Sequence, residues 1–312
     1  MKTKNILVTG GLGFIGSNFI NHIFNKYSYN IFNVDLKTYA ASYDNISEDI
    51  RKSGRLSLSI CDINDTDRLR NLIQRNNINY VVNFAAESHV DNSISDSSPF
   101  VHTNINGTHS LLTLLHDCPS IERFLQVSTD EVYGSLSEQD NPFTEDTPIQ
   151  ANSPYSASKA SADLLCRSFY ETFDYPILTT RCSNNYGPNQ HEEKLIPLMI
   201  KKAMAGEKLP VYGDGRNIRD WIHVADHCSG IDTVLHDGKI GEVYNIGGKN
   251  EMRNIDIVKT ILKLLGKDED QIEFVKDRLG HDWRYAIDNT KIQNELNWKP
   301  SVNFDEGIKY LI

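Results

Sequence analysis

The segment Asn5-Ile6-Leu7-Val8-Thr9-Gly10-Gly11-Leu12-Gly13-Phe14-Ile15-Gly16 decides the fold. Its first half is a short apolar run, and its second half breaks that run with glycines before a helical pattern begins. The glycines at 10, 13 and 16 form G-x-x-G-x-x-G, a variant of the dinucleotide-binding turn. Gly10 permits the tight turn, Gly13 lets backbone approach a pyrophosphate, and Gly16 allows close contact between helix and strand. The helix start then offers unpaired N–H groups to the phosphates. Asp35 ends the next apolar run, nineteen residues past Gly16. That is close to the ~20 expected of a carboxylate on the adenosine ribose hydroxyls. An acid there repels a 2′-phosphate, so NAD is favoured over its phosphorylated form, with Lys37 a mild counter-signal. Asp62 and Ile63, just past the third run, would flank the adenine.

Outward from this turn, NIFNVD (Asn30–Asp35), LSLSIC (Leu56–Cys61), NYVVNFA (Asn79–Ala85) and RFLQVST (Arg123–Thr129) read as further strands. Several are apolar on both faces, as strands buried in a parallel sheet must be. Helical stretches separate them, one running from Pro99 towards His116 with the proline in its first turn. The repeated alternation predicts an α/β fold, a doubly wound, Rossmann-like parallel sheet covered on both faces. The rhythm breaks in the polar segment Gly134 to Pro154, and a loop of that length is usually functional. A helix over Tyr155–Phe173 and a strand, ILTTRC (Ile177–Cys182), follow. From Asn184 the elements are shorter and punctuated by glycine. We expect a dinucleotide-binding domain over residues 1–183 and a smaller C-terminal α/β substrate lobe over 184–312, with room for the two to interleave.

Composition narrows the function. The 312 residues include 32 Lys or Arg and 42 Asp or Glu, a formal net charge of −10. Nucleic-acid and membrane-surface roles need a basic excess, so neither is expected. An anionic ligand needs only a local positive site. No apolar run nears the ~18 residues of a membrane span. The start, MKTKNILVTGG, has too short an apolar run for a signal peptide, so a cytoplasmic protein is expected. Cys61, Cys118, Cys166, Cys182 and Cys228 are scattered and read as small buried hydrophobes. His223 and His227 have helical i, i+4 spacing, but the intervening Val-Ala-Asp lacks the glutamate placement of a zinc motif. No metal is expected.

Tyr155 and Lys159 lie four apart on one helical face. A free tyrosine, with a pKa of about 10, is too weakly acidic for a general base near neutrality. A neighbouring ammonium and an oxidised nicotinamide would both lower it. Tyr155 could then take a proton from a substrate hydroxyl as carbon releases hydride. Ser128-Thr129-Asp130-Glu131-Val132-Tyr133-Gly134 sets two adjacent carboxylates beyond a buried strand, at the end where doubly wound sheets bind ligands. An enzyme that only oxidises and reduces needs no such pair. One that removes a proton from carbon and protonates a departing hydroxyl does.

The glycine turn, the strand ending in Ser128-Thr129 and the Tyr-x-x-x-Lys pair together resemble the extended, sugar-nucleotide branch of the short-chain dehydrogenase/reductase superfamily. The string Thr129-Asp130-Glu131 is similar to that of the dTDP-glucose 4,6-dehydratases. The resemblance runs through nearly the whole chain in family order. It includes FAAESHVDNSI (Phe84–Ile94), NSPYSASKASADLL (Asn152–Leu165), RCSNNYGPNQHEEKLIP (Arg181–Pro197), LPVYGDGRNIRDWIHVADH (Leu209–His227), YNIGGKNEMRN (Tyr244–Asn254) and DRLGHDWRYAID (Asp277–Asp288). The departures are Leu279, where the family commonly has proline, and an end at Ile312, past which family chains often continue.

The resemblance implies a nucleoside-diphosphate glucose, foremost dTDP-glucose, as substrate, and NAD retained through each cycle. It implies that Tyr155, with Lys159, takes the C4 hydroxyl proton while Thr129 bonds the C4 oxygen. Glu131 then removes the C5 proton as base, and Asp130 protonates the departing C6 hydroxyl. A like charge on Glu131 would raise the Asp130 pKa in the required direction. For NAD it implies Gly10, Gly13, Phe14, Ile15, Gly16, Asp35, Leu36, Lys37, Thr38, Asp62, Ile63, Ala85, Ala86, Ser88, Thr103, Tyr155, Lys159 and Asn185. For the sugar nucleotide it implies Ser88, Thr129, Asn184, Lys194, Leu195, Pro210, Tyr212, Arg219, Asn254, Arg278 and His281. Arg219 and Arg278 would meet the diphosphate, since a forked guanidinium binds two oxygens; as surface ion pairs they would contribute little. Tyr212 could stack on the base or be plain core. The stripes Leu164, Leu165, Phe169 and Phe173, and Leu111, Leu112 and Leu115, could be ordinary core; the resemblance implies a homodimer with a four-helix seam through these two helices. Two other readings stay open. A sugar-nucleotide 4-epimerase or decarboxylase would share the glycine turn and Tyr-x-x-x-Lys but would not normally carry the Asp-Glu pair. A non-catalytic NAD-sensing module would be expected to lose Tyr155, Lys159 or the carboxylates, and all are present.

Overall fold

The apolar runs become parallel strands in a computed structural model that describes residues 3–312. Met1 and Lys2, part of the chain start read above, lie outside the described residues. The first six strands are β1 (Asn5–Thr9), β2 (Asn30–Asp35), β3 (Leu56–Ile60), β4 (Tyr80–Asn83), β5 (Arg123–Thr129) and β6 (Ile177–Cys182). The second half adds β7 (Asn184–Tyr186), β8 (Leu209–Tyr212), β9 (Ile218–His223), β10 (Val243–Ile246), β11 (Glu251–Arg253) and β12 (Ile272–Val275). Between the early strands run α1 (Phe14–Lys26), α2 (Glu48–Lys52), α3 (Thr66–Asn76), α4 (Val90–Ser95), α5 (Ser98–Phe100), α6 (Thr108–His116) and α7 (Pro154–Phe173). Later come α8 (Leu195–Ala205), α9 (Val224–Asp237), α10 (Asn254–Leu265), α11 (Thr290–Leu296) and α12 (Phe304–Gly307).

A seven-stranded sheet in the order β10-β6-β5-β4-β1-β2-β3 has every neighbouring pair parallel. Its seventh strand comes from the later half of the chain: Val243 of β10 registers against Thr179 of β6. The second half also forms a three-stranded sheet, β11-β9-β7, and a parallel pair, β12-β8. Alternation along β1 sends Ile6 and Val8 into one core cluster with α1 and α9, and Leu7 into the opposite cluster with α3 and α6. All three are fully buried, each stabilising the fold by about 1.5–3 kcal/mol. A polar ladder crosses the sheet interior. Thr9 Oγ1 donates to Asn83 Oδ1 at 2.5 Å, and Asn83 Nδ2 donates to Gln126 Oε1 at 2.8 Å. Buried polar side chains persist because they satisfy one another.

The stretch from Pro99 to His116 is not one α-helix. Residues Val101–Gly107 wind as a π-helix between α5 and α6. Buried Asn104 sits in this widened turn. Its amide nitrogen donates to the Glu87 carbonyl at 3.0 Å and to Ser158 Oγ at 2.8 Å, and its oxygen accepts from Glu87 N at 2.9 Å. Such π turns recur beside functional sites. The predicted seam also needs correction. Leu111, Leu112 and Leu115 are fully buried, because α6 lays that face on the sheet. Leu165 and Phe169 are half-buried. The exposed apolar side chains in this region are Val101, Leu164 and Phe173. The polar segment after β5 is pinned: Leu136 N donates to Arg284 O at 3.0 Å and Phe143 N to Ala286 O at 2.9 Å.

Helix α1 is tied to α9 by one carboxylate, Asp232, whose side chain is fully buried. It accepts from His22 Nε2 at 2.9 Å, Lys26 Nζ at 2.6 Å and Tyr27 OH at 3.0 Å. Burial alone would raise its pKa. The hydrogen bonds from His22, His236 and Lys26 outweigh burial and hold it well below the ordinary carboxylate range. A depressed folded-state pKa gives stability that is present above the unfolded value of about 3.9 and lost as pH falls below it. Asp232→Asn is therefore expected to cost about 2–4 kcal/mol near neutrality. Its penalty should shrink as denaturation is followed down through pH 4 to 2. A penalty constant over that range would show that the charge of Asp232 does not hold the two helices.

Candidate active site

The glycine turn is closed to side chains at two of its three sites. Gly10 has φ +69°, and a Cβ there would lie 2.7 Å from Ala85 N. A Cβ on Gly16 would collide with the carbonyl oxygen of Gly10. Gly16 therefore clears the turn itself rather than a helix–strand contact. Gly13, which caps α1 without a side-chain bond, meets nothing nearer than Gly10 O at 3.4 Å. The unpaired N–H groups at the start of α1 thus border a cavity with about 1530 Å³ of empty space, open to solvent.

Gly10, Gly13, Phe14, Ile15, Gly16, Asp35, Leu36 and Thr38 line one end of this cavity. Ala85, Ala86, Ser88, Thr103, Asn184 and Asn185 line its middle. Asp35 ends β2 with Oδ2 accepting from Leu12 N at 2.9 Å and Oδ1 from Lys37 N at 2.7 Å. Burial raises its pKa, and those two bonds oppose the rise. Lys37, with φ +57°, turns its ammonium onto the Tyr43 ring, 4.2 Å from the centroid. The counter-signal of Lys37 therefore faces away from the cavity lining. Asp62 and Ile63 also lie off it. Asp62 bonds Asn64 N at 2.8 Å and His102 Nε2 at 2.9 Å, while Ile63 packs against Gly107.

Thr129, Asp130, Glu131, Tyr155 and Lys159 meet at the other end. Strand β5 stops at Thr129, and a 3₁₀ turn carries the two carboxylates, with Thr129 Oγ1 accepting from Glu131 N at 3.3 Å. Asp130 is fully buried, and its Oδ2 has no hydrogen-bond partner. Burial, then the charges of Glu131 and Asp220, push its pKa well above the ordinary value, against Arg219 and Thr129. Burial also raises Glu131, but Arg278, Arg219 and Lys194 all pull it back. The two carboxyls thus sit in different electrostatic surroundings, the pattern that separates an acid from a base.

The Tyr–Lys pair differs from expectation. Burial and the nearby acids push the Tyr155 phenol well above 10, with a hydrogen bond to Thr129 opposing them. Lys159 directs its ammonium to the Val127 carbonyl at 2.6 Å, and burial lowers its pKa. The lysine is anchored on β5 and does not itself lower the phenol.

Of the remaining candidates Lys194 lines the cavity, and Lys194, Arg219 and Arg278 act on Glu131, whereas Leu195, Pro210, Tyr212, Asn254 and His281 lie off the cavity lining. Lys194 Nζ donates to Ser88 O at 2.9 Å, and Leu195 opens α8 on the core of the second lobe. Arg219 is buried. Its guanidinium donates to Ile218 O at 2.7 Å and Asp282 O at 3.0 Å and covers the Tyr285 ring at 4.2 Å. It is an internal cation, not a surface ion pair. Arg278 Nη1 lies 3.9 Å from Asp91, and its buried Nε has no hydrogen-bond partner. Tyr212, half-exposed on β8 with Pro210, donates to Asp91 at 3.2 Å, so it is not core. His281 is bonded to Asp277 at 2.6 Å. The side-chain oxygens of Asn184 and Asn254 are buried without partners. Unpaired buried groups fit a polar ligand.

Some lining residues had no motif to announce them, among them Glu87, Cys182, Gln190 and Glu193. Cys182 was reachable by the rule that strand ends line the site, because it ends β6 beside Thr129. Asp220 was not. Backbone N–H groups of Gly248 at 3.0 Å and Asn250 at 2.6 Å hold it in β9. His223 caps α9 through Ala225 N, and His227 is bonded to Asn185.

The family described as GDP-mannose 4,6 dehydratase matches residues 7–311. The low-salt glycan biosynthesis protein Agl12 of Haloferax volcanii is 50% identical over 98% of this chain and 96% of its own. A dTDP-glucose 4,6-dehydratase of Xanthomonas campestris is 48% identical over 97% of this chain and 90% of its own. The crystal structure of dTDP-glucose 4,6-dehydratase from Bacillus anthracis in complex with NAD superposes with a TM-score of 0.92 at 49% identity, covering 99% of this chain and 95% of that one. On full-length likeness in both sequence and structure, the chain belongs to the dTDP-glucose 4,6-dehydratase family, within the extended short-chain dehydrogenase/reductases.

Proposed function

We propose that the protein is an NAD-dependent hydro-lyase that converts dTDP-glucose to its 4-keto-6-deoxy derivative and water. The observation that carries this reading is the pair Asp130 and Glu131, set in unequal electrostatic surroundings and facing one cavity with Tyr155. The relatives named above support the substrate.

The glycine turn and Asp35 fit a dinucleotide: a cradle without room for side chains at Gly10 and Gly16, a helix start at Gly13, and a carboxylate at the end of β2. When bound there, NAD supplies the chemistry of a reversible hydride acceptor, drawing on C4 of the sugar and returning to C6. Burial raises the Tyr155 phenol pKa, and the positive charge of a bound, oxidised nicotinamide would oppose that rise. Tyr155 then removes the C4 hydroxyl proton, and Thr129 donates a hydrogen bond to the resulting carbonyl oxygen. Lys159, anchored on the Val127 carbonyl of β5, lines the same cavity and would hold the ribose of a bound cofactor. The ketone acidifies the C5 proton, which Glu131 takes as base and gives back to C5 after water has left, so that the C5–C6 double bond is saturated. Asp130, holding a proton by virtue of burial, gives it to the departing C6 hydroxyl, and water leaves. Arg219, Arg278 and Lys194 supply the positive field for the diphosphate and oppose the rise that burial imposes on the Glu131 carboxyl.

In this reading residues 1–183 hold the dinucleotide and 184–312 mainly the sugar nucleotide, with β10 returning to the first sheet. Exposed Val101, Leu164 and Phe173 form the seam of a homodimer. Five free, buried cysteines fit the reducing cytoplasm, and among the described residues no helix is long and apolar enough to cross a membrane.

With NAD and dTDP-glucose, the protein is expected to form a product that absorbs near-ultraviolet light in alkali. Glu131→Gln should still reduce the bound cofactor yet lose about 10²–10⁴ in turnover. No deoxyketosugar from the native chain would end the dehydratase reading, and near-normal turnover in the variant would remove Glu131 as base. Because Asp130 acts protonated, turnover should fall as pH rises through its raised pKa. Asp130→Asn should remove that alkaline limb, and a pH–kcat profile that keeps the limb assigns the proton elsewhere. Light scattering at micromolar concentration should give twice the 35.4 kDa chain mass, and Leu164→Glu should halve it; a monomeric native mass refutes the seam.

A further inference from the structure

The proposed reaction leaves one fully buried titratable group unused, His227 of α9. Its Nδ1 lies 2.8 Å from Asn185 Oδ1. Asn185 lines the cavity just past β6, beside Cys182 and Ser183.

The surroundings of Asn185 dictate where the protons are. Its amide nitrogen lies 3.0 Å from the Ser183 carbonyl and 3.4 Å from Cys182 Sγ. A carbonyl only accepts, so the amide nitrogen must face it and the amide oxygen must face the imidazole. Two acceptors cannot share a hydrogen bond, so Nδ1 carries a proton. The other ring nitrogen, Nε2, is buried with no hydrogen-bond partner among the described residues. Burial pushes the imidazole pKa down to about 3, so the ring is neutral at physiological pH. Neutrality with a proton on Nδ1 leaves one tautomer. The main chain of Asn185 is held separately, its carbonyl accepting from Gln190 Nε2 at 2.8 Å. The Ser183 carbonyl holds the nitrogen side of the amide, and His227 is the partner that holds its oxygen side.

We propose that His227 is a positioning residue for the cofactor: its Nδ1–H locks the Asn185 amide with nitrogen towards Ser183 and Cys182, shaping the cavity wall past β6 to receive NAD. The inference rests on the reading of this cavity as an NAD site. Without the donor, the Asn185 oxygen is left unpaired in a buried place, and the amide can turn. A leucine at 227 fills the space without donating. An asparagine puts an amide N–H where the imidazole has Nδ1.

The test is equilibrium binding of NAD, and separately of dTDP, to cofactor-stripped native protein, His227→Leu and His227→Asn. Loss of one hydrogen bond should raise the NAD dissociation constant about five- to tenfold in the leucine variant. Binding of dTDP should stay within about twofold, and asparagine should restore most of the NAD affinity. Native NAD affinity in His227→Leu, equal weakening of both ligands, or no rescue by asparagine would each overturn the proposal. Should the leucine variant fail to fold, ¹⁵N spectra of histidine-labelled native protein decide the matter: Nδ1–H is expected, and an Nε2–H tautomer overturns the lock. A native chain that binds no NAD fails the cavity reading itself, whereas native binding with an indifferent leucine variant fails only the role of His227.

Discussion

Withdrawal of the Asp130 carboxyl from water is the constraint on which the reacting end depends. An ionised carboxylate placed without a partner in a protein interior costs far more than the proton that neutralises it. Asp130 has no hydrogen-bond partner at Oδ2 and an acid on either side, Glu131 along the chain and Asp220 across from β9. Its proton is therefore retained where an exposed aspartate would lose it. Each unit of such a shift corresponds to about 1.4 kcal/mol between the two protonation states. The same enclosure acts on Glu131, but three cations answer it there.

Those cations all reach Glu131 from later in the chain. Arg219 and Arg278 come from the second half of the chain, and Lys194 from the segment that leads into α8. Arg219 is held in place by backbone carbonyls and the face of Tyr285, so its position survives without an anion in the cleft. Arg278 is less satisfied, with a distant carboxylate and an idle Nε. One guanidinium tunes the acid pair from inside, and the other stands ready for a ligand.

Much of this was legible in the chain. The runs that became β2, β5 and β6 could be bounded to the residue, because short stretches rich in β-branched and aromatic residues stand out between helical patterns. The glycine turn, Asp35, the Tyr155–Lys159 spacing and the adjacent carboxylates are local patterns too. The errors share one cause, which is that a pattern does not say what lies across from it. Leu111, Leu112 and Leu115 could be read as seam or as core, and the structure buries them in the core. Lys37 read as a possible phosphate partner, but its backbone turns left-handed and the ammonium lands on a ring. Lys159 shares a helical face with Tyr155, yet its ammonium is spent on β5.

From its order of residues alone, this protein was committed to a doubly wound sheet, a dinucleotide turn and a Thr-Asp-Glu string at a strand end. Each depends on neighbours within a few positions, where period and spacing carry the information. Which carboxyl keeps its proton, which cation answers the other, and how His227 comes to face Asn185 were decided by the tertiary structure. Those relations join residues up to about a hundred and fifty positions apart, and only packing brings them within the few ångströms over which charge and hydrogen bonds act.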